Sequence, residues 1–281
     1  MRSIVSPSCV ALVALLLAGC ERGAWSTTTT AFRDSTLVVK VYEDRPAEVL
    51  IATEGIEPTT IEALNERASQ GDPVAHRLLG NAYWQGSNTS TNGVDPFPRN
   101  RAHAVWYYRK GAEMGDVPSQ YWLGHALEFG DGVDRNLEAA LGWYDRAAAQ
   151  GHVEAHGQLG YAYAAGEGRA MDAVQAVKHF RLAAEAGHAQ SQFNLGVMYF
   201  KGEGVGADKG EAARWYWSAA DQGHTQAMRV LARMLHAGDG ISRDDDAARA
   251  WLDKAVEEGD DEARALQVEF GYADATADVT S

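Results

Sequence analysis

The sequence predicts an all-α protein, a solenoid of about five helix-pair repeats closed by degenerate units at both ends. Three observations carry this reading. A glycine ends each helical pattern at Gly71, Gly115, Gly151, Gly187, Gly223 and Gly259, with spacings of 44, 36, 36, 36 and 36 residues. A fixed period between about 20 and 50 residues marks stacked units that cover one another's apolar faces. Two stretches of helical periodicity recur inside each period, and the second begins after an Asn or Asp held in strict register.

The first helix of a unit carries Ala75, Leu79 and Tyr83, repeated as Ala155, Leu159 and Tyr163. A glycine follows the central leucine at Gly80, Gly124, Gly160 and Gly196. Mid-helix glycine costs roughly 1 kcal/mol relative to alanine, so these positions are expected where a neighbouring helix approaches closely. The second helix carries the pairs Tyr107–Tyr108, Trp143–Tyr144, His179–Phe180, Trp215–Tyr216 and Trp251–Leu252, flanked one turn away by alanines such as Ala140 and Ala148. Large rings against small residues read as a packing seam, not a cofactor box.

A Gly-x-Gly loop joins the helices at Gly130–Gly132, Gly166–Gly168, Gly202–Gly204 and Gly238–Gly240. Asn100, Asn136, Asp172, Asp208 and Asp244 follow as expected N-caps, whose side chains accept from the free N–H groups of a first turn. Because Gly-x-Gly recurs in each later unit and no Lys-Ser/Thr follows, the loops read as helix terminators and not as a phosphate cradle. His152, His188 and His224 stand one residue past a glycine, where Asp72, Asp116 and Asp260 stand in other units. They read as helix starters; one metal ion does not bridge residues a repeat apart.

Degenerate half-units are expected at the ends. Ile61 to Gln70 resembles a lone second helix, with Thr59 and Glu62 as a capping box behind Pro58. Asp260 to Phe270 resembles a lone first helix, with Gln267 where the central leucine falls elsewhere. The repeat region is assigned to residues 56–271 and a polar tail to 272–281. The longer first unit holds its excess around Ser87 to Arg99, expected as a loop on one face.

The N-terminus reads as a targeting segment. Arg2 is followed by the apolar run from Cys9 to Leu17, then Ala18, Gly19 and Cys20. The run is too short for a bilayer span of roughly 20 residues. Residues 20–55 are expected to carry a tether, including Thr27 to Thr30, and a small hairpin built from Leu37–Tyr42 and Val49–Ala52. Cys9 and Cys20 are the only cysteines, and Cys9 lies in the segment expected to be removed, so no disulfide within the remaining chain is expected. Formal charge is −14, and removal of Arg2 with the leader would make it −15, which disfavours nucleic acid as a partner.

Two resemblances add to this. Leu17-Ala18-Gly19-Cys20 resembles a bacterial lipobox, which implies residues 1–19 as a lipoprotein signal peptide, Cys20 as the lipidated residue and, with Glu21 following, a periplasmic position at the outer membrane. Residues 72–259 resemble the Sel1-like repeat (SLR) family, a relative of the tetratricopeptide repeat. The pattern appears at Ser191, Leu195-Gly196, Tyr199, Gly202 to Val205, Asp208, Ala212, Trp215-Tyr216 and Ala219 to Gly223. Departures are Ser191 for alanine, Arg169 for valine and Ala232 for glycine. The resemblance implies a right-handed α/α superhelix whose first helices line a concave face, and an adaptor that gathers other proteins.

No His-Glu-x-x-His, Gly-x-Ser-x-Gly or cysteine nucleophile is present, so no catalytic residue, metal or cofactor is assigned and an enzyme is not expected; a hydrolase with an unrecognised site is the remotest alternative. The expected function is a protein-binding scaffold in the bacterial envelope. The alternative, which the family resemblance suggests, is an immunity protein against a periplasm-acting toxin such as a secreted phospholipase. Projection onto the superhelix assigns a mixed aromatic and basic partner-binding stripe: Arg77, Trp84, Tyr121, Phe129, Tyr161, Phe193, Phe200, Arg229, Arg233 and His236. Aromatic residues and arginine dominate interface hot spots.

Overall fold

A computed structural model describes residues 24–31, 36–42, 48–53, 56–86 and 98–272. The leader, Cys20, most of the Ser87–Arg99 insertion and all but one residue of the polar tail lie outside the described residues. The described chain falls into two compact units, one ending at Ala147 and the other beginning at Ala148.

The first unit opens with an antiparallel meander of β1 (Ala24–Ala31), β2 (Thr36–Tyr42), β3 (Glu48–Thr53) and β4 (Ile56–Thr60), in that spatial order. The expected hairpin segments correspond to β2 and β3, with Val38 opposite Leu50. The threonine run read as a tether is instead paired, Thr28 opposite Val39, in keeping with the β preference of branched side chains. Thr59, read as a cap, pairs with Ile51 in β4, and the first helix starts two residues later.

Helices α1 (Ile61–Ser69), α2 (Pro73–Gln85), α3 (Arg101–Glu113), α4 (Val117–Phe129) and α5 (Leu137–Ala149) follow. The second unit holds α6 (Val153–Ala165), α7 (Ala173–Glu185), α8 (Ala189–Lys201), α9 (Lys209–Asp221), α10 (Thr225–Ala237), α11 (Asp245–Glu257) and α12 (Asp261–Glu269). Helices α2 to α11 are each 13 residues long, as an array of one repeated helix pair requires.

The caps explain why each helix starts and stops there. Second helices begin on Asn100, Asn136, Asp172, Asp208 and Asp244, which accept first-turn N–H groups at 2.9–3.0 Å. In the representative loop after α8, Gly202 takes the left-handed conformation at φ +75° and ends the helix. Gly204, at φ +70°, is needed for space as well: a Cβ there would lie on the Ala173 carbonyl at the start of α7.

The seam predicted at the mid-helix glycines is filled by the second aromatic of each pair. A Cβ at Gly80 would come within 2.6 Å of the Tyr108 ring, at Gly124 within 2.8 Å of Tyr144, at Gly160 within 2.5 Å of Phe180 and at Gly196 within 2.7 Å of Tyr216. All four rings are buried. The fifth unit makes the complementary exchange: Ala232 replaces the glycine and Leu252 the ring, and both are fully buried in one cluster. In the terminal half-unit, Leu266 supplies the buried apolar side chain beside Gln267.

Candidate protein-binding surface

The ten stripe residues were expected to face a partner. In the first unit, the Arg77 guanidinium instead lies 3.2 Å from the Asp116 carboxylate, both nearly buried. Asp116 is the N-cap of α4 and also accepts from the Ser119 N–H and hydroxyl. Arg77 therefore ties one repeat to the first turn of the next. Trp84 is 8% exposed, between Tyr108 and Trp122, with the Arg101 guanidinium 3.8 Å above its ring. Tyr121, at 6% exposure, packs against Tyr144 and Trp122. Trp84 and Tyr121, expected on the open face, thus lie in the core. Phe129 is 60% exposed, its ring 4.7 Å from His125.

In the second unit, Arg229 repeats the role of Arg77. It lies 3.1 Å from Asp260, the N-cap of α12, and also pairs with Glu262. Phe193 occupies the same repeat position and stacks on His224, the N-cap of α10, at 4.8 Å and 18°. Where the next unit starts with Asp, this position is Arg; where it starts with His, it is Tyr121, Gly157 or Phe193. A Cβ on Gly157 would lie 3.2 Å from His188, so that joint has room for no side chain without adjustment.

Two histidine caps work as expected: His152 accepts from the Ala155 N–H at 3.4 Å and His224 from the Ala227 N–H at 3.2 Å. His188 departs from that expectation; its Nδ1 instead meets the Ser191 hydroxyl at 2.8 Å. Burial lowers the His224 pKa below its usual value. His236 is held among Asp245 at 2.6 Å, Tyr272 and the stacked ring of Phe270 at 4.1 Å. Hydrogen bonds from Arg243 first, then from Tyr272 and His236, hold Asp245 down at about 2. Phe200 is half-buried beneath the Lys209 ammonium.

What stays open of the predicted stripe is Phe129 in the first unit, and Tyr161 (49% exposed) and Arg233 in the second. Tyr161 and Arg233 occupy one position on first helices two repeats apart, shared with Val197 between them. The sequence reading did not find Trp106 and Trp217, 50% and 44% exposed on second helices. Trp106 adjoins Tyr107 and Trp217 adjoins Tyr216, members of the recurring aromatic pairs, and each reads there as an extension of its pair. Trp217 borders a groove of about 600 Å³ with Asp208, Glu211, Arg214 and Ile241. Among the described residues no group of three His, Cys, Asp or Glu is placed to hold a metal, and no helix is long and apolar enough to cross a membrane.

Paired 13-residue helices, glycine-against-ring seams and side-chain joints between neighbouring repeats within each unit define an α-solenoid repeat protein. The Sel1 repeat pattern matches residues 73–116, 117–152, 153–188, 189–224 and 225–260, and the chain belongs to that family. A protective antigen of uropathogenic Escherichia coli strains, displaying an SLR fold, is similar at 34% identity and a TM-score of 0.68 over 76% of this chain. The chain spans 44% of that protein's length. A Sel1 repeat protein from Oxalobacter formigenes is similar at 30% identity and a TM-score of 0.65, over 73% of this chain and 80% of that one. No curated protein matches the chain.

Proposed function

We propose that the chain is a non-enzymatic scaffold, anchored in the bacterial envelope through a lipidated Cys20, that binds a protein partner by the exposed residues of its first helices. The observation that supports this most is the contrast within the aromatic and basic stripe. Most of its members are taken up in joints and core, while Tyr161 and Arg233 stay exposed at one shared repeat position. Large exposed aromatics and arginines on a rigid scaffold bind without first ordering a loop, which favours affinity.

Photo-crosslinkers placed at Tyr161 and Arg233, and at Arg214 on a second helix as control, test the surface in cells. A defined adduct from the first two positions alone is expected. Adducts from Arg214 alone would move the interface to the second helices. A secreted phospholipase in the adduct would make the binding an immunity function, and an envelope assembly component would make it an adaptor. The anchor is tested separately: labelled palmitate should enter the native protein and not Cys20→Ala, and label in that variant would remove lipidation at Cys20.

A further inference from the structure

The third repeat departs from its neighbours at two facing positions at once. On first helices the position reads His76, Gln120, His156, Gln192 and Met228; on second helices it reads Tyr107, Trp143, His179, Trp215 and Trp251. Only the third repeat carries histidine at both. Across α6 and α7 the two Nδ1 atoms face each other at 3.0 Å, with ring centroids 5.2 Å apart. Tyr163 stacks on His179 at 5.6 Å and fixes the plane of that ring.

The His156 ring also hydrogen-bonds the Ala148 backbone. Gln120 and Gln192 make the same bond eight residues back, to the Ala112 and Ala184 carbonyls. With Nδ1 turned to His179, the group that donates to Ala148 is Nε2–H, so Nδ1 of His156 carries a lone pair. A carbonyl on the far nitrogen is the arrangement that fixes tautomer and orientation in metal-binding histidines.

We infer that His156 and His179 form a binding site for a divalent transition-metal ion that prefers imidazole, such as Zn²⁺, held between their two Nδ1 atoms with solvent completing the coordination. Two Zn–N bonds of about 2.0 Å at a tetrahedral angle need nitrogens about 3.3 Å apart. The observed 3.0 Å reaches that by a small rotation of either ring. In the metal-free pair the Nδ1 proton belongs to His179; on binding it moves to Nε2 of the same ring through solvent, so both imidazoles remain neutral and no proton is lost. Both side chains are half-buried, which leaves a path for the ion. The positive charge of Lys178 disfavours charge on His156 and so weakens the hold on a cation.

The test is titration of the untagged full chain with Zn²⁺, beside His156→Gln and His179→Trp. Each substitution installs the residue found at the same position in neighbouring repeats, so each variant is expected to keep the native circular dichroism. One Zn²⁺ equivalent bound by the native chain and weakened at least tenfold in both variants is the expected result. An upfield or downfield shift of the His156 and His179 ring resonances on zinc addition, with the other histidines unmoved, gives the same answer without substitution. Absence of binding to the native chain, or an equivalent retained at unchanged affinity in either variant, would overturn the site.

Discussion

The seam inside a repeat and the joint between repeats are built by different rules. The seam is a matter of shape: glycine against the carbon edge of a ring in four repeats, alanine against leucine in the fifth. The joint is a matter of chemistry: Arg229 meets Asp260 as an ion pair, while at the equivalent position Phe193 meets His224 as a stack. A seam tolerates exchange only when volume is conserved across both sides. A joint tolerates it only when the residue and the next N-cap change together.

Breaking the seam should have the largest effect. Gly160→Leu drives a side chain into Phe180 and is expected to cost about 3 kcal/mol, the upper range for overpacking. Gly160→Ala should cost less, and adding Phe180→Leu, which copies the fifth unit, should recover most of that loss in thermal melts. An unchanged melting temperature in Gly160→Leu would mean that the glycine is not there for space.

Breaking a joint should come next. Arg229→Ala leaves the nearly buried Asp260 without its guanidinium, for an expected loss of about 1–3 kcal/mol. Arg229→Phe combined with Asp260→His rebuilds the other kind of joint and should be milder than Arg229→Phe alone, as a double-mutant cycle by denaturant unfolding would show.

The smallest effect concerns pH. His224 accepts a hydrogen bond on Nδ1 at a helix N-terminus, so a proton there breaks the cap and meets the positive end of the helix dipole. Its folded pKa lies below the unfolded 6.5, chiefly through burial. Below 6.5 the unfolded chain takes up the proton first. The contribution is therefore complete above pH 6.5 and is lost as pH falls through the lower folded value. His224→Asn, which caps without titrating, should flatten the melting temperature between pH 7 and 5; an equally steep profile in the variant would remove His224 as a cause.

Much of this was legible in the sequence because it is local. Asn and Asp caps, glycine stops and apolar spacing each act within one helical turn, and a period of 36 makes them recur. The exposure of the predicted stripe was legible only in part. Helical periodicity shows that Trp84 and Arg77 leave the helix on a given face, but not that Arg101 and Asp116, 17 and 39 residues away, cover them. One signal was available: the match between Arg or a ring at positions 77, 121, 193 and 229 and Asp or His at the next helix start. The paired threonine run escaped because four polar residues in a row carry no alternation of faces.

The central claim is that stripe residues divide into joints, which hold the fold, and exposed residues, which hold a partner. Measuring melting temperature and partner capture together in Tyr161→Ala/Arg233→Glu and in Arg77→Ala tests it directly. The double variant is expected to lose capture and melt as the native chain does, while Arg77→Ala melts lower and, where still folded, captures as before. The reverse pattern would contradict it.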